Sequence, residues 1–187
     1  MFGYDGIVDL KGMGIQQYKT DVGFRTLVES VNENLYIIPK YQRKYRWTKE
    51  QVVSLVESLI FGLPIPPIYT CRNEKNQLEV LDGQQRIMSL FFYYIGYYLN
   101  NRRNSSLDFS DLAVGDCTFE EAIRNQFDLE ELHIEIKNKK GEVINLDYDA
   151  LPLEVKRRVD YTTITVIEIK VDDVRNAHLY CGRYSPI

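Results

Sequence analysis

The chain has 187 residues, of which 44% are hydrophobic, and its formal net charge is −4. This length and composition are typical of one globular domain with a sizeable core, and the acidic balance excludes a global basic field for nucleic acid. Three scattered cysteines without a CxxC pair indicate a reducing compartment rather than a disulfide framework. The first residues lack a signal pattern and the longest apolar run, 87–99, is too short to span a membrane. We therefore expect a cytoplasmic protein without a membrane partner.

Residues 1–20 are predicted to form an extended N-terminal arm, and 21–187 to form one domain. Apolar periodicity and two capping boxes, at Thr48 and Thr118, predict the helices. The predicted helices cover about 23–32, 48–61, 84–99, a short stretch after 118, and 153–159. Alternating or β-branched runs predict strands over 35–38, 68–71, 78–81, 132–137, 143–146 and 163–170. Strands and helices are mixed without a regular βαβ period, which indicates the α+β class.

The chemistry of the chain is concentrated where a short apolar strand meets a strongly apolar helix, at Asp82-Gly83-Gln84-Gln85-Arg86. Backbone N–H groups at a helix start favour an anion, Gly83 permits a tight turn, and Arg86 suits phosphate. Asp82 would repel a bare phosphate, so it fits best beside a bound cation such as Mg²⁺. Gln84 or Gln85 would orient a water for attack on a terminal phosphate, as a glutamine does in some GTPases. The alternative is a turn with an exposed arginine.

A second polar cluster follows the strand that Pro39 ends, and it contains Tyr41, Gln42, Arg43 and Trp47. Both clusters lie between an apolar strand and an apolar helix, so neighbouring strands would bring them to one pocket. Arg43 and Arg86 would then clamp phosphates from two sides. Trp47 or Tyr41 would stack on a base. In the alternative, Tyr41 and Trp47 are core aromatics and Arg43 is a surface ion-pair partner.

Three motifs in this order closely resemble the N-terminal domain of the GmrSD restriction endonucleases: Ile38–Arg43 with Trp47, then Gly62–Ile68, then Asp82–Arg86. The resemblance covers about residues 20–180. It implies a ParB/sulfiredoxin-like α+β fold, with a mixed sheet, flanking helices and a long central helix after the Asp82–Arg86 loop. It also implies Mg²⁺-dependent binding and hydrolysis of a nucleoside triphosphate. In the family this activity regulates DNA cleavage in restriction and phage defence, through a separate nuclease domain or subunit.

The resemblance assigns site residues one by one. It implies catalytic roles for Asp82, Gln84, Gln85 and Arg86, a Mg²⁺ at Asp82, and nucleotide contacts from Gly83, Arg86, Gln42 and Arg43. Sulfiredoxin chemistry needs a cysteine in this motif. Gln84 and Gln85 occupy the motif instead, so we do not expect that activity. The chain carries no HNH nuclease pattern and ends without the Asn-(Arg/Thr)-Gly-Gly segment usual in the family, so we expect a truncated or degenerate member. A non-catalytic nucleotide- or DNA-binding adaptor is the competing hypothesis.

Two basic clusters are candidates for weak DNA contact: Lys137, Lys139 and Lys140 in a hairpin turn, and Lys156, Arg157 and Arg158 on a short helix. Such clusters are more often solvated surface. The chain has only two histidines, His133 and His178, and they are far apart in the sequence, which argues against a zinc site. The strand alternation places His133 on the outward face, where we expect it to be solvated.

Overall fold

The computed structural model describes residues 15–39, 44–100, 109, 112, 117–137 and 140–171. The five helices in these ranges are α1 (Phe24–Asn32), α2 (Lys49–Phe61), α3 (Gln84–Ile95), α4 (Phe119–Gln126) and α5 (Leu153–Tyr161). The strands are β1 (Ile15–Gly23), β2 (Tyr36–Ile37), β3 (Ile68–Arg72), β4 (Leu78–Asp82), β5 (Tyr97–Leu99), β6 (Leu129–Glu131), β7 (Glu135–Lys137), β8 (Val143–Asn145) and β9 (Thr163–Val171). A short 3₁₀ helix covers Tyr148–Ala150.

The main sheet has five strands in the order β1-β9-β3-β4-β2. β1 is antiparallel to β9 and β3 is antiparallel to β4, whereas β9–β3 and β4–β2 are parallel pairs. Two small antiparallel sheets, β5–β6 and β7–β8, complete the described strands. The mixed sheet with separate helices confirms the predicted α+β class.

Helix α3 is the central buried element of the domain. Ile87, Met88, Leu90, Phe91 and Phe92 are all at most 1% exposed, as expected for a helix that is apolar on most of its faces. The helix ends at residue 95 rather than at the predicted 99, because the next glycine adopts a left-handed φ of +72° and caps it. The last three residues of the predicted helix form β5 instead.

Residues 15–20 of the predicted N-terminal arm are paired in the main sheet. These residues belong to β1, whose register with β9 runs without interruption from Ile15↔Val171 to Gly23↔Thr163. The sheet therefore begins before the predicted domain boundary. Residues 1–14 lie outside the described part of the chain.

The predicted strand over 132–137 is also only partly correct. Leu132 and Ile134 are buried as the alternation requires, but only Glu135–Lys137 is paired as a strand. The two buried residues use their N–H groups elsewhere: Leu132 donates to the Gly96 carbonyl at 3.0 Å, and Ile134 donates to the Asp147 carboxylate at 2.7 Å. The alternation correctly predicted which side chains are buried, but it did not reveal that the two N–H groups bond to acceptors outside a paired strand.

Candidate functional site

The carboxyl ends of β2 and β4, which precede the two predicted polar clusters, lie at one edge of the main sheet. β2 and β4 are neighbouring parallel strands, with Tyr36 opposite Leu78 and Ile37 opposite Glu79. The carboxyl ends of parallel neighbours lie at the same sheet edge, so the segments that follow both strands come close together. Asp82 ends β4 and Gln84 begins α3, which confirms the predicted boundary between strand and helix.

Gly83 forms the turn between β4 and α3. Its φ is +96°, a conformation that side-chain-bearing residues rarely adopt. A Cβ atom there would lie 3.1 Å from Cγ1 and 3.3 Å from Cα of Ile68, and 3.1 Å from Nη2 of Arg86. The first intrahelical bond runs from the Ile87 N–H to the Gly83 carbonyl, at 2.9 Å. The N–H groups of residues 84–86 therefore have no intrahelical acceptor, and unpaired N–H groups at a helix start favour an anion.

Arg86 is already engaged within the protein. Its Nη2 donates to Oδ2 of Asp82 at 2.9 Å and to the carbonyl of Pro67 at 3.0 Å. The arginine side chain is 18% exposed and that of Asp82 is 39% exposed. Within the described ranges, Nε of Arg86 is buried without a hydrogen-bond partner. The arginine thus lies at the helix start as an ion pair rather than as an isolated cation.

Asp82 is the metal ligand that the sequence predicts. One of its oxygens is bonded to Arg86, which leaves the other for a cation. No group of three or more His, Cys, Asp or Glu residues suited to a metal ion occurs in the described part of the chain. Mg²⁺ commonly uses one or two protein carboxylates and takes its other ligands from phosphates and water. The donor set therefore fits Mg²⁺ that arrives with a phosphate ligand.

Gln85 turns towards the segment that follows β2. Its Oε1 accepts from the backbone N–H of Arg46 at 2.8 Å and of Trp47 at 3.1 Å. Its Nε2 donates to the Lys44 carbonyl at 3.3 Å. Gln84, the preceding residue, is only 5% exposed. The two consecutive glutamines thus have different surroundings.

The same segment is fixed by a buried tyrosine. Tyr45 is 1% exposed, and its hydroxyl lies 2.7 Å from Oγ of Ser89 on α3. Ser89 in turn donates to the Gln85 carbonyl at 2.7 Å. Burial raises the pKa of Tyr45 far above its usual range, against a smaller opposite effect of the Ser89 bond. On the other side, the Tyr98 hydroxyl donates to the carbonyl of Trp47.

The aromatic and arginine predictions for the second cluster have mixed outcomes. Trp47 is partly buried and packs against the hydrophobic core, in agreement with the alternative that made it a core aromatic. Tyr41, Gln42 and Arg43 lie outside the described residues, so the clamp between Arg43 and the helix start remains a prediction.

The predicted basic helix does not present one cationic face. Lys156 pairs with Asp149 at 2.9 Å and lies 4.2 Å from the centre of the Tyr148 ring. Arg158 donates to the Ile60 carbonyl at 3.4 Å. Arg157 is exposed. Consecutive helical residues are about 100° apart, so these three cannot share one side. In the other cluster Lys137 and Lys140 are exposed, and Lys139 lies outside the described part of the chain.

His133 is not merely solvated, as the sequence had indicated. Its Nδ1 lies 3.0 Å from Oδ2 of Asp147 and its Nε2 lies 3.1 Å from Oε2 of Glu131. The hydrogen bond and charge of Asp147, followed by those of Glu131, raise the pKa of His133. Alternation correctly placed the ring on the exposed face, but it could not reveal an acceptor 14 residues away. His178 lies outside the described residues.

An open groove of about 620 Å³ lies beside this histidine and the first turns of α2. It is lined by Lys49, Glu50, Val53, Ser54, His133 and Glu135. None of residues 82–86 lines it, so it is separate from the helix start described above.

The fold and this site define an α+β domain in which the N–H groups at the start of α3 lie beside an Asp–Arg pair. The chain belongs to the family described as GmrSD restriction endonuclease, N-terminal domain, whose family model matches residues 24–182. The resemblance inferred from the motifs is thereby confirmed, and it places the chain in a restriction-system family. No curated protein and no solved structure matched the chain. None of the helices in the described ranges is long and apolar enough to cross a membrane.

Proposed function

We propose that this domain binds a nucleoside triphosphate at the start of α3 and hydrolyses it with Mg²⁺. In this proposal, the reaction regulates a nuclease domain or subunit in restriction and phage defence. The observation that carries the proposal is the helix start. The N–H groups of residues 84–86 open α3 without intrahelical acceptors, directly after the Gly83 turn and beside the Asp82–Arg86 pair. A terminal phosphate would accept from these groups and from the arginine.

The residues of the chain would divide the chemistry among them. Arg86 uses only Nη2 in its bonds to Asp82 and Pro67, so further donors of its fork can be directed at phosphate. The Mg²⁺ ion, held by Asp82 and phosphate oxygens, would neutralise charge on the phosphates. Oε1 of Gln85 already accepts two backbone N–H groups, so Gln84 is the better candidate to orient the attacking water.

A non-catalytic adaptor is the second candidate. Asp82 and Arg86 are bonded to each other, and Gln85 is bonded to backbone, so three side chains assigned to chemistry have protein partners. A site of this kind could bind a nucleotide, or take part in DNA recognition, without turning over.

Phosphate release from ATP and GTP with Mg²⁺, measured beside equilibrium nucleotide binding, separates the two candidates. Asp82→Ala and Gln84→Ala should lower turnover by about 10²-fold, with a smaller loss of affinity, because both are assigned transition-state roles. Glu120→Ala is the matched control, since Glu120 pairs with Arg124 four residues later, as Asp82 does with Arg86. Tight binding without turnover in the wild type would favour the adaptor. Absence of binding for both nucleotides would overturn the proposal.

A further inference from the structure

We propose that Gln85 is a positioning residue that holds the segment Lys44–Trp47 against α3, rather than a residue that acts on water. The contacts between Gln85 and this segment are seen in the structure and do not depend on the proposed function. Their effect on nucleotide affinity rests on the proposed function, because it requires the helix start to be the phosphate site.

Side chains supply several of the backbone hydrogen bonds of this segment. Residues 44–48 form neither helix nor strand, although Tyr45 within them is almost fully buried. Lys44 and Arg46 are exposed and Trp47 is partly buried, so the hydrogen bonds of this backbone form in competition with water. The Gln85 carboxamide supplies three of these bonds at once, to the N–H groups of Arg46 and Trp47 and to the Lys44 carbonyl.

Only a primary carboxamide of this length meets both demands. The Oε1 atom accepts two N–H groups while Nε2 donates to a carbonyl, and glutamate lacks the donor. Asparagine has the same group on a shorter stem. Glutamate at position 85 would retain both accepted bonds but would set an oxygen against the Lys44 carbonyl.

Two further anchors hold the same segment. Ser89 lies one turn after Gln85 on α3, so both side chains lie on neighbouring parts of one helix face. Its hydroxyl connects the Tyr45 hydroxyl, at 2.7 Å, to the Gln85 carbonyl, at 2.7 Å. Tyr98 donates to the Trp47 carbonyl from β5.

Gln85 therefore serves both junctions. Its own N–H belongs to the helix-start group that lacks intrahelical acceptors, and its side chain fixes the residues that follow β2. A change in the Gln85 side chain should loosen the segment that follows β2 without removing the Gln85 backbone N–H from the helix start. Under the proposed function, Gln85→Ala would then weaken nucleotide affinity more than it lowers turnover, and Gln84→Ala would do the opposite.

Amide hydrogen exchange in the full chain, without nucleotide, tests the positioning role directly. Each amide loses one hydrogen bond, so Gln85→Ala should speed exchange of the Arg46 and Trp47 amides by about fivefold, which corresponds to about 1 kcal/mol. Gln84→Ala is the matched control in the same helical turn and should leave both amides protected. Gln85→Glu should retain much of the protection, since its carboxylate still accepts both N–H groups. Trp47 is the one tryptophan of the chain, so iodide quenching of its fluorescence should rise in Gln85→Ala alone.

The outcomes separate this inference from the proposed function. Equal protection of the Arg46 and Trp47 amides in the wild type and in Gln85→Ala would overturn the positioning role. If Gln85→Ala does not fold, exchange is measured in the wild type alone. Exchange of the Arg46 and Trp47 amides at unprotected rates in the wild type would also overturn the positioning role. Slow exchange in the wild type that survives in Gln85→Glu supports it. Absence of nucleotide binding in the wild type would remove the proposed function and leave the exchange result intact.

Discussion

Replacing Gly83 with alanine tests whether the turn into α3 is set by backbone conformation and close packing together. The glycine has φ +96°, and a Cβ atom would approach the Ile68 Cα to 3.3 Å. That neighbour is backbone of a central strand, so it cannot rotate away as a flexible side chain would. The Nη2 atom of Arg86, 3.1 Å from the same position, would also have to move.

The expected cost has two parts. The left-handed conformation costs a residue with a Cβ about 1–2 kcal/mol. Overpacking against Ile68 adds about 1–3 kcal/mol. Gly83→Ala should therefore lower the free energy of unfolding by about 2–5 kcal/mol, which for a domain of this size lowers Tm by about 4–20 °C. The loss of unfolded-state freedom offsets about 0.4–1 kcal/mol of this.

Gly96→Ala is the matched control, because Gly96 caps the other end of α3 with φ +72°, and no atom of the described residues beyond its local backbone lies within 4 Å of its Cβ position. It should lose only the conformational part, about 1–2 kcal/mol. Urea unfolding of both variants, followed by circular dichroism, measures the difference. If Gly83→Ala costs no more than Gly96→Ala, the close approach to Ile68 contributes nothing and the reasoning is refuted.

Three further predictions concern other parts of the domain. His133 has a raised pKa, so its stabilising effect is present below the unfolded pKa of about 6.5 and is lost as pH rises through the folded value. The free energy of unfolding should thus fall above pH 6.5, and His133→Asn should flatten that dependence; an unchanged profile would contradict it. Thr70 is fully buried, and Oγ1 has no partner within the described ranges, so Thr70→Val should stabilise by about 1 kcal/mol in urea unfolding. A loss of stability would show that the hydroxyl is bonded. The predicted DNA contact of Lys156, Arg157 and Arg158 is tested by reversing their charges: loss of duplex binding at low salt with intact nucleotide binding would support it, whereas unchanged duplex affinity would exclude a DNA-facing role.

The local signals in the sequence predicted element boundaries well. Thr48 and Thr118 both form the predicted capping boxes, with Gln51 and Glu121 as reciprocal partners. Gly62 ends α2 in a left-handed conformation, as predicted. Each of these signals acts within four residues of the chain, so its outcome does not depend on tertiary structure.

The errors arose where pairing over long distances decided the structure. The apolar run after Ile87 continues past Gly96, so periodicity alone extended α3 through residues that pair with β6 as β5. Likewise, β1 is polar and mostly exposed, and its strand identity comes from β9, more than 140 residues later in the chain. Neither partner could be found from the local sequence.

The candidate site combines both situations. Pattern alone predicted that two polar junctions would meet, because β2 and β4 could be recognised as strands that end in polar residues. The sequence pattern could not assign different roles to Gln84 and Gln85, because the backbone partners of Gln85 lie 38, 39 and 41 residues upstream. Successive helical residues point about 100° apart, so one glutamine is buried at the helix start while the other meets the preceding segment. Two identical neighbours in a motif therefore have different surroundings, and their alanine variants should not be interchangeable in exchange or in kinetics.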